Sequence, residues 1–110
     1  MTQNNAGQAL LILLVTPKLE EVLVDFLLQQ SAISGFTTTP ASGHGTGHGV
    51  GYSTLKLSLV EQVTGRQSRV QFMLHATLPV MHELIAALKA KFQHTDMHYI
   101  LLPVLDAQSI

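Results

Sequence analysis

The chain has 110 residues, of which 46% are hydrophobic and 12% are charged, and its formal net charge is -1. This length fits one compact domain over residues 1–110 and excludes a second domain. The even balance of charge argues against nucleic acid as a partner, because binding a phosphate backbone takes a surplus of Lys and Arg. The sequence contains no cysteine, which excludes disulfides, thiolate metal sites and a cysteine nucleophile.

The first predicted element is a strand over residues 10–15, within a continuous apolar run that starts at Ala9. The run is too short for a buried helix and shows no polar alternation, which is typical of a strand in the centre of a sheet. We expect residues 1–8 to form a disordered tail. No basic residue precedes the run, and nowhere does the chain reach the roughly 20 apolar residues of a membrane span, so we expect a cytoplasmic protein without membrane insertion.

The next predicted element is a helix that runs to about residue 30. Thr16 is its expected N-cap, and Pro17 takes the first helical position, where a missing N–H costs nothing. Apolar residues then recur at helical spacing and predict the buried face. These residues are Leu19, Val22, Leu23, Phe26 and Leu27.

A second strand is predicted over residues 36–39, and Pro40 restricts it to the edge of a sheet. A segment of different chemistry follows, because every odd position from 43 to 51 is glycine. Glycine disfavours helix by about 1 kcal/mol per residue, so the pattern predicts a flexible loop. The loop carries two histidines, His44 and His48.

A hairpin is predicted next, from apolar residues that alternate with polar ones at 55–59 and again at 70–76. A second helix begins at Leu78 and Pro79, and residues 98–105 form the last strand. The apolar positions of this second helix are Met81, Leu84, Ile85, Leu88 and Phe92.

The order of these elements predicts the fold class. It is an α+β, ferredoxin-like βαββαβ domain, with an antiparallel sheet, two helices on one face and a long glycine-rich loop. The other face of such a sheet needs a cover, and self-association commonly supplies it.

With this order of elements and a Pro-Val-Leu-Asp ending at residues 103–106, the chain resembles the PII-like signalling proteins. More narrowly, it resembles a bacterial subgroup of these proteins with a Gly-His-Gly loop, here residues 43–45, and a Glu-Gln-Val-Thr-Gly-Arg segment, here residues 61–66. The resemblance implies a homotrimer. It also implies that the long loop, about residues 44–64, changes shape on ligand binding and meets a partner protein.

The chain departs from the ATP-binding members of that family at one turn. Those members use a basic, glycine-rich turn between the second helix and the last strand. Here the same connection, residues 93–96, contains neither glycine nor Lys nor Arg. ATP binding is therefore an alternative for this chain and not the main expectation.

The loop histidines are the candidate metal ligands. Neutral imidazoles bind copper, zinc, nickel and cobalt, so His44 and His48 suggest a divalent transition metal as the cofactor. An extended chain would hold two residues at this spacing about 13 Å apart. One ion could bind both only if the glycines fold the loop back, unless neighbouring subunits complete the site.

An anion or a small effector is the second possibility for the loop. Gly43, Gly45 and Gly47 are candidate ligand contacts, because backbone N–H groups of a glycine-rich loop can cradle an anion. Arg66, close to Glu61, is a further candidate ligand contact, although an exposed ion pair would account for it equally well. The third possibility is a solvated loop whose histidines bind nothing.

The remaining histidines, His75, His82, His94 and His98, are expected at the surface or at an interface. Nowhere does the sequence suggest a nucleophile beside a base or a pair of convergent carboxylates, so we expect no enzyme activity.

The expected function is that of a regulatory homotrimer whose loop, residues 43–64, binds a small ligand or a transition-metal ion. Binding would modulate a partner protein such as a transporter or a metal-efflux system. Two alternatives remain: a passive metal-binding or metal-tolerance protein, and an adenine-nucleotide sensor of the nitrogen-regulatory type.

Overall fold

The computed structural model describes residues 7–45 and 66–110. In chain order the elements are β1 (Gln8–Val15), a short 3-10 turn (Pro17–Leu19), α1 (Glu20–Leu28), β2 (Thr37–His44), β3 (Arg66–Thr77), α2 (Leu78–Lys91) and β4 (Met97–Val104). This is the predicted order, and it confirms the α+β class.

The four strands form one sheet in the order β2-β3-β1-β4, and every neighbouring pair is antiparallel. This is the ferredoxin-like topology, as predicted. The apolar strand β1 lies inside the sheet between β3 and β4, whereas β2 and β4 are its edges. Both edge strands contain a proline, Pro40 and Pro103, because an edge strand can lack one ladder N–H without leaving a partner unbonded.

One face of the sheet carries the core. Alternate residues of β1 are buried there, and so are Val70, Phe72 and Leu74 of β3. Both helices bury their apolar sides in the same cluster: Leu23 and Leu27 from α1, and Met81, Leu84, Ile85 and Leu88 from α2. The predicted face of the second helix is confirmed, including Phe92, which is 8% exposed just beyond its end.

The start of the first helix differs from the prediction. The Thr16 side chain makes no capping hydrogen bond, and the Leu19 backbone N–H instead donates to the Thr16 carbonyl oxygen at 3.0 Å. This i to i+3 bond closes a 3-10 turn, so that α1 begins only at Glu20. Val22, predicted to be buried, is 42% exposed.

The second strand is longer than predicted. Pro40 does not end it, and Gly43 and His44, expected in a loop, are the last two residues of β2. The reason is that β3 supplies an uninterrupted ladder, in which Pro40 lies opposite Val70 and His44 opposite Arg66. Pairing across the sheet thus outweighs the low strand propensity of glycine and proline. The predicted strand over residues 55–59 lies outside the described residues, as do the first six residues of the predicted tail, while Gln8 begins β1.

The turn between α2 and β4 contains a left-handed residue. His94 has φ 63, a conformation that costs a residue with a Cβ about 1 kcal/mol or more. The hydroxyl of Thr95 holds the turn by donating to the carbonyl oxygen of Phe92 at 2.6 Å. Glycine at position 94 would adopt the same φ without steric cost.

We therefore expect His94→Gly to raise the free energy of unfolding by up to about 1 kcal/mol and His94→Val to lower it by a similar amount. Urea denaturation of both variants measures this. Gln93→Gly, one residue earlier, is the matched control and should be destabilising. An equal effect of glycine at both positions would contradict the role assigned to the backbone at His94.

Candidate functional site

The candidate site begins at a two-stranded arm. β3 is 12 residues long, but only its last eight residues, Val70 to Thr77, pair with β1. Its first four residues pair with β2 alone, from Ala41 opposite Arg69 to His44 opposite Arg66. The arm therefore extends past the end of β1, and the segment with the glycines and His48 connects its two tips.

Two of the predicted site residues meet at the end of the arm. His44 and Arg66 are cross-strand partners, and both are exposed. Residues directly opposite each other in an antiparallel pair have Cβ atoms about 4.5–5.5 Å apart, so one ligand can contact both side chains. Gly43, the next predicted ligand contact, lies opposite Gln67.

Gln67 is a residue of the arm that the sequence analysis did not single out. It is only 5% exposed, and it is the one buried polar residue in the described part of the chain. Its side-chain oxygen accepts a hydrogen bond from the Arg69 guanidinium, which also donates to the Ser68 carbonyl oxygen at 3.2 Å. Gln67 thus bonds to the half-buried Arg69, two residues further along the same strand. The sequence did not indicate that Gln67 is buried, because a polar glutamine is ordinarily expected at the surface.

The other predicted site residues, Gly47 and His48, lie outside the described residues, and Gly45 is the last residue before that gap. Within residues 7–45 and 66–110, no three His, Asp or Glu side chains come together as a metal site would need. His44 therefore supplies one imidazole at a position where Arg66 adds a permanent positive charge. This arrangement suits an anion better than a cation, unless His48 and a further ligand join His44.

The uncovered face of the sheet is the second notable surface. The residues of β1 that point away from the core are Leu10, Ile12 and Leu14, which alternate with its buried residues. Ile12 lies between Met73 of β3 and Ile100 of β4, which are 38% and 39% exposed. An apolar row therefore crosses three strands with nothing packed on it among the described residues.

Two of the remaining histidines border this row. The register places His75 beside Leu10, and His98 beside Leu14, and both histidines are exposed. His82 on α2 and His94 in the following turn are exposed as well. These four residues therefore lie at the surface, as predicted, and none of them joins His44.

No helix in the described part of the chain is both long and apolar enough to cross a membrane.

The comparisons with known proteins concern the family and the fold. The sequence profile of a family described as "Protein of unknown function (DUF3240)" matches residues 5–110. No curated protein matches the chain. Among solved structures, a DUF3240 family protein from Shewanella baltica has a TM-score of 0.73 at 17% identity, with 94% of this chain and 97% of that chain covered.

Two further solved structures share the fold. A putative PII-like signaling protein from Thermus thermophilus matches with a TM-score of 0.61 at 18% identity, covering 90% of this chain and 87% of that one. The periplasmic divalent cation tolerance protein CutA from Archaeoglobus fulgidus matches with a TM-score of 0.64 at 11% identity. The match covers 92% of this chain and 87% of that one. The PII-like resemblance of the sequence is thus confirmed for the fold.

Proposed function

The chain belongs to the DUF3240 family, and we propose that it is a non-catalytic regulatory protein of the PII-like type. In this proposal it is a homotrimer whose loop, about residues 43–64, binds a small ligand or a transition-metal ion. Ligand binding changes the conformation of the loop and with it the fit to a partner protein, such as a transporter or a metal-efflux system. The site of action is the cytoplasm.

The arm is the observation that carries this proposal. In it β2 and β3 stay paired beyond the end of β1, and His44 and Arg66 lie opposite each other where the described part of the arm ends. A ligand held there would contact both strands of the arm, β2 and β3, and would order the segment that joins them. Ordering of a segment by a ligand is a common switch, because the contacts offset the conformational entropy that the segment loses.

The uncovered apolar face supports the homotrimer. Leu10, Ile12 and Leu14 form one continuous strip of β1, and Leu102 of β4, next to Leu10, is 42% exposed. Large contiguous apolar patches on a soluble protein mark interaction surfaces, since their exposure to water is unfavourable. A second and a third copy of the chain, packed on this strip, would remove it from water.

The ligand is either a transition-metal ion held by His44 and His48 or an anion held by His44, Arg66 and the backbone N–H groups of Gly43, Gly45 and Gly47. The position of Arg66 opposite His44 favours the anion, and the spacing of the histidines favours the metal ion. A passive role in metal tolerance is the alternative to regulation, in keeping with the fold shared with CutA. Nucleotide sensing remains the weaker alternative, because residues 93–96 contain no basic side chain.

Native mass spectrometry tests this proposal, since it reports the number of subunits and of bound ions together. We expect a trimer of the 11.9 kDa chain. If the ligand is a metal ion, the trimer takes up a defined number of copper, zinc, nickel or cobalt ions, and the double variant His44→Ala, His48→Ala takes up none. If it is an anion, phosphate binds instead and Arg66→Gln abolishes the binding.

The matched control is the double variant His82→Ala, His94→Ala, which also removes two exposed histidines but leaves the arm intact. This control variant should bind the same number of metal ions, or the same amount of phosphate, as the unaltered protein. Metal uptake that survives loss of His44 and His48 would exclude the loop as the metal site. Pull-downs with and without the bound ion then separate regulation from passive tolerance, since only a regulator captures a partner in a ligand-dependent way.

A further inference from the structure

A cleft opens between the C-terminal half of α2 and the edge strand β4. Its volume is about 190 Å³. The floor is apolar and consists of Leu13 of β1 together with Leu88 and Phe92, all less than 9% exposed. Met97 and Tyr99 of β4 form the opposite wall.

The topology explains why the cleft is there. The chain crosses from β3 to β4 through α2, which packs on β1 and β3. β4 therefore lies at the border of the helical layer, and Tyr99, on the core side of β4, remains 41% exposed. Among the described residues, no second layer of structure covers the Tyr99 ring, which therefore forms an open side of the cleft.

Lys89 supplies the cleft with a positive charge. Among the described residues that line the cleft it alone is charged, and its Nζ atom lies 5.3 Å from the centroid of the Tyr99 ring. Among the described residues, none forms a hydrogen bond or an ion pair with the ammonium group of Lys89. An ammonium group over an aromatic face keeps donors available for an anion, because the ring occupies only one side of it.

From this combination we propose that the cleft binds a small aromatic carboxylate, of about the size of benzoate. An apolar cavity of about 150 Å³ in another protein accommodates benzene, so the present volume has room for one ring and its acid group. The ring would lie on Leu88 and Phe92 and against Tyr99, and the carboxylate would accept hydrogen bonds from Lys89. Such pairing of an apolar lining with one polar anchor is typical of small-molecule sites.

Lys91 is the matched comparison for Lys89, because it has the same charge near the same helix end but lies outside the cleft. Both Lys89 and Lys91 lie in the last turn of α2, where a cation offsets the negative end of the helix dipole. Lys91 also lies over an aromatic ring, Phe26 at 5.9 Å, but it does not line the cleft. Replacement of Lys91 therefore removes the same charge from the same turn and leaves the cleft intact.

The experiment is a titration of the full-length, isotopically labelled protein with benzoate, followed by amide chemical shifts. We expect saturable shifts that centre on Leu88, Phe92 and Met97. Lys89→Met should weaken the affinity by about threefold to tenfold through loss of the charge-assisted hydrogen bond, and Lys91→Met should leave it within about twofold. Benzyl alcohol, which has the ring without the charge, and acetate, which has the charge without the ring, should both bind more weakly.

Shifts that do not saturate, equal binding of benzoate and benzyl alcohol, or equal effects of the Lys89 and Lys91 substitutions would overturn the proposal. A cleft that responds only in a monomeric variant would overturn it too, since a second copy of the chain would then be the occupant. The cleft lies on the core side of β4, away from the arm and the uncovered face. Its test is therefore independent of the proposed regulatory function.

Discussion

Replacing Ile12 with lysine is expected to convert the proposed homotrimer into a folded monomer. Ile12 lies at the centre of the uncovered face, between Met73 and Ile100. In a single chain the new ammonium group reaches water, so folding should survive. In an assembly packed on this face, each copy would bury an unpaired charge. The cost of burying it is on the order of several kcal/mol.

Light scattering coupled to size-exclusion chromatography measures the change in mass, and circular dichroism shows whether the fold is kept. Leu28→Lys is the matched control: Leu28 is 69% exposed, but it lies on α1, on the other side of the sheet. That variant should keep the mass of the unaltered protein. Should Ile12→Lys keep that mass too, the uncovered face is not the interface; if the unaltered chain is already monomeric, the homotrimer itself is excluded.

The largest loss of stability is expected for Phe72→Ala. Phe72 is fully buried in β3, where it pairs with Leu13 of β1 and lies 5.9 Å, centroid to centroid, from the ring of Phe36. Truncation removes the apolar contacts and leaves a cavity, which together cost about 3–5 kcal/mol. Since small domains are stable by only about 5–15 kcal/mol, much of the total would be lost.

Urea denaturation at a fixed protein concentration provides the measurement, because assembly makes the apparent stability depend on concentration. The control is Leu28→Ala, which removes a largely exposed apolar side chain and should change the free energy of unfolding by no more than about 0.5 kcal/mol. A loss below about 1 kcal/mol for Phe72→Ala would mean that the core does not centre on this ring.

The elements with a strong local pattern were predictable. The helical spacing from Met81 to Phe92 led to α2, and the unbroken apolar run led to a central strand. Both follow from the period of each element, which depends only on near neighbours in the chain. The two strand prolines likewise indicated edges, because proline lacks an N–H for one side of a ladder.

The candidate site was predictable only in part. The alternation of glycine with histidine drew attention to the end of β2, and it predicted a loop at Gly43 and His44, where the structure has strand. A glycine is weak evidence against a strand once a partner strand runs beside it. The burial of Gln67 and the position of Lys89 over Tyr99 had no local signal at all.

Local patterns in the chain were enough to establish the order of the elements, their types and the α+β class, because hydrophobic periodicity and turn residues act over a few positions. What depends on pairing between distant segments became known only from the folded chain. That pairing set β1 between β3 and β4, placed His44 opposite Arg66, and left an apolar row uncovered across three strands. The physical reason is that register follows from which strands bury their apolar faces together, and the pattern within one segment does not show which distant segment becomes its partner.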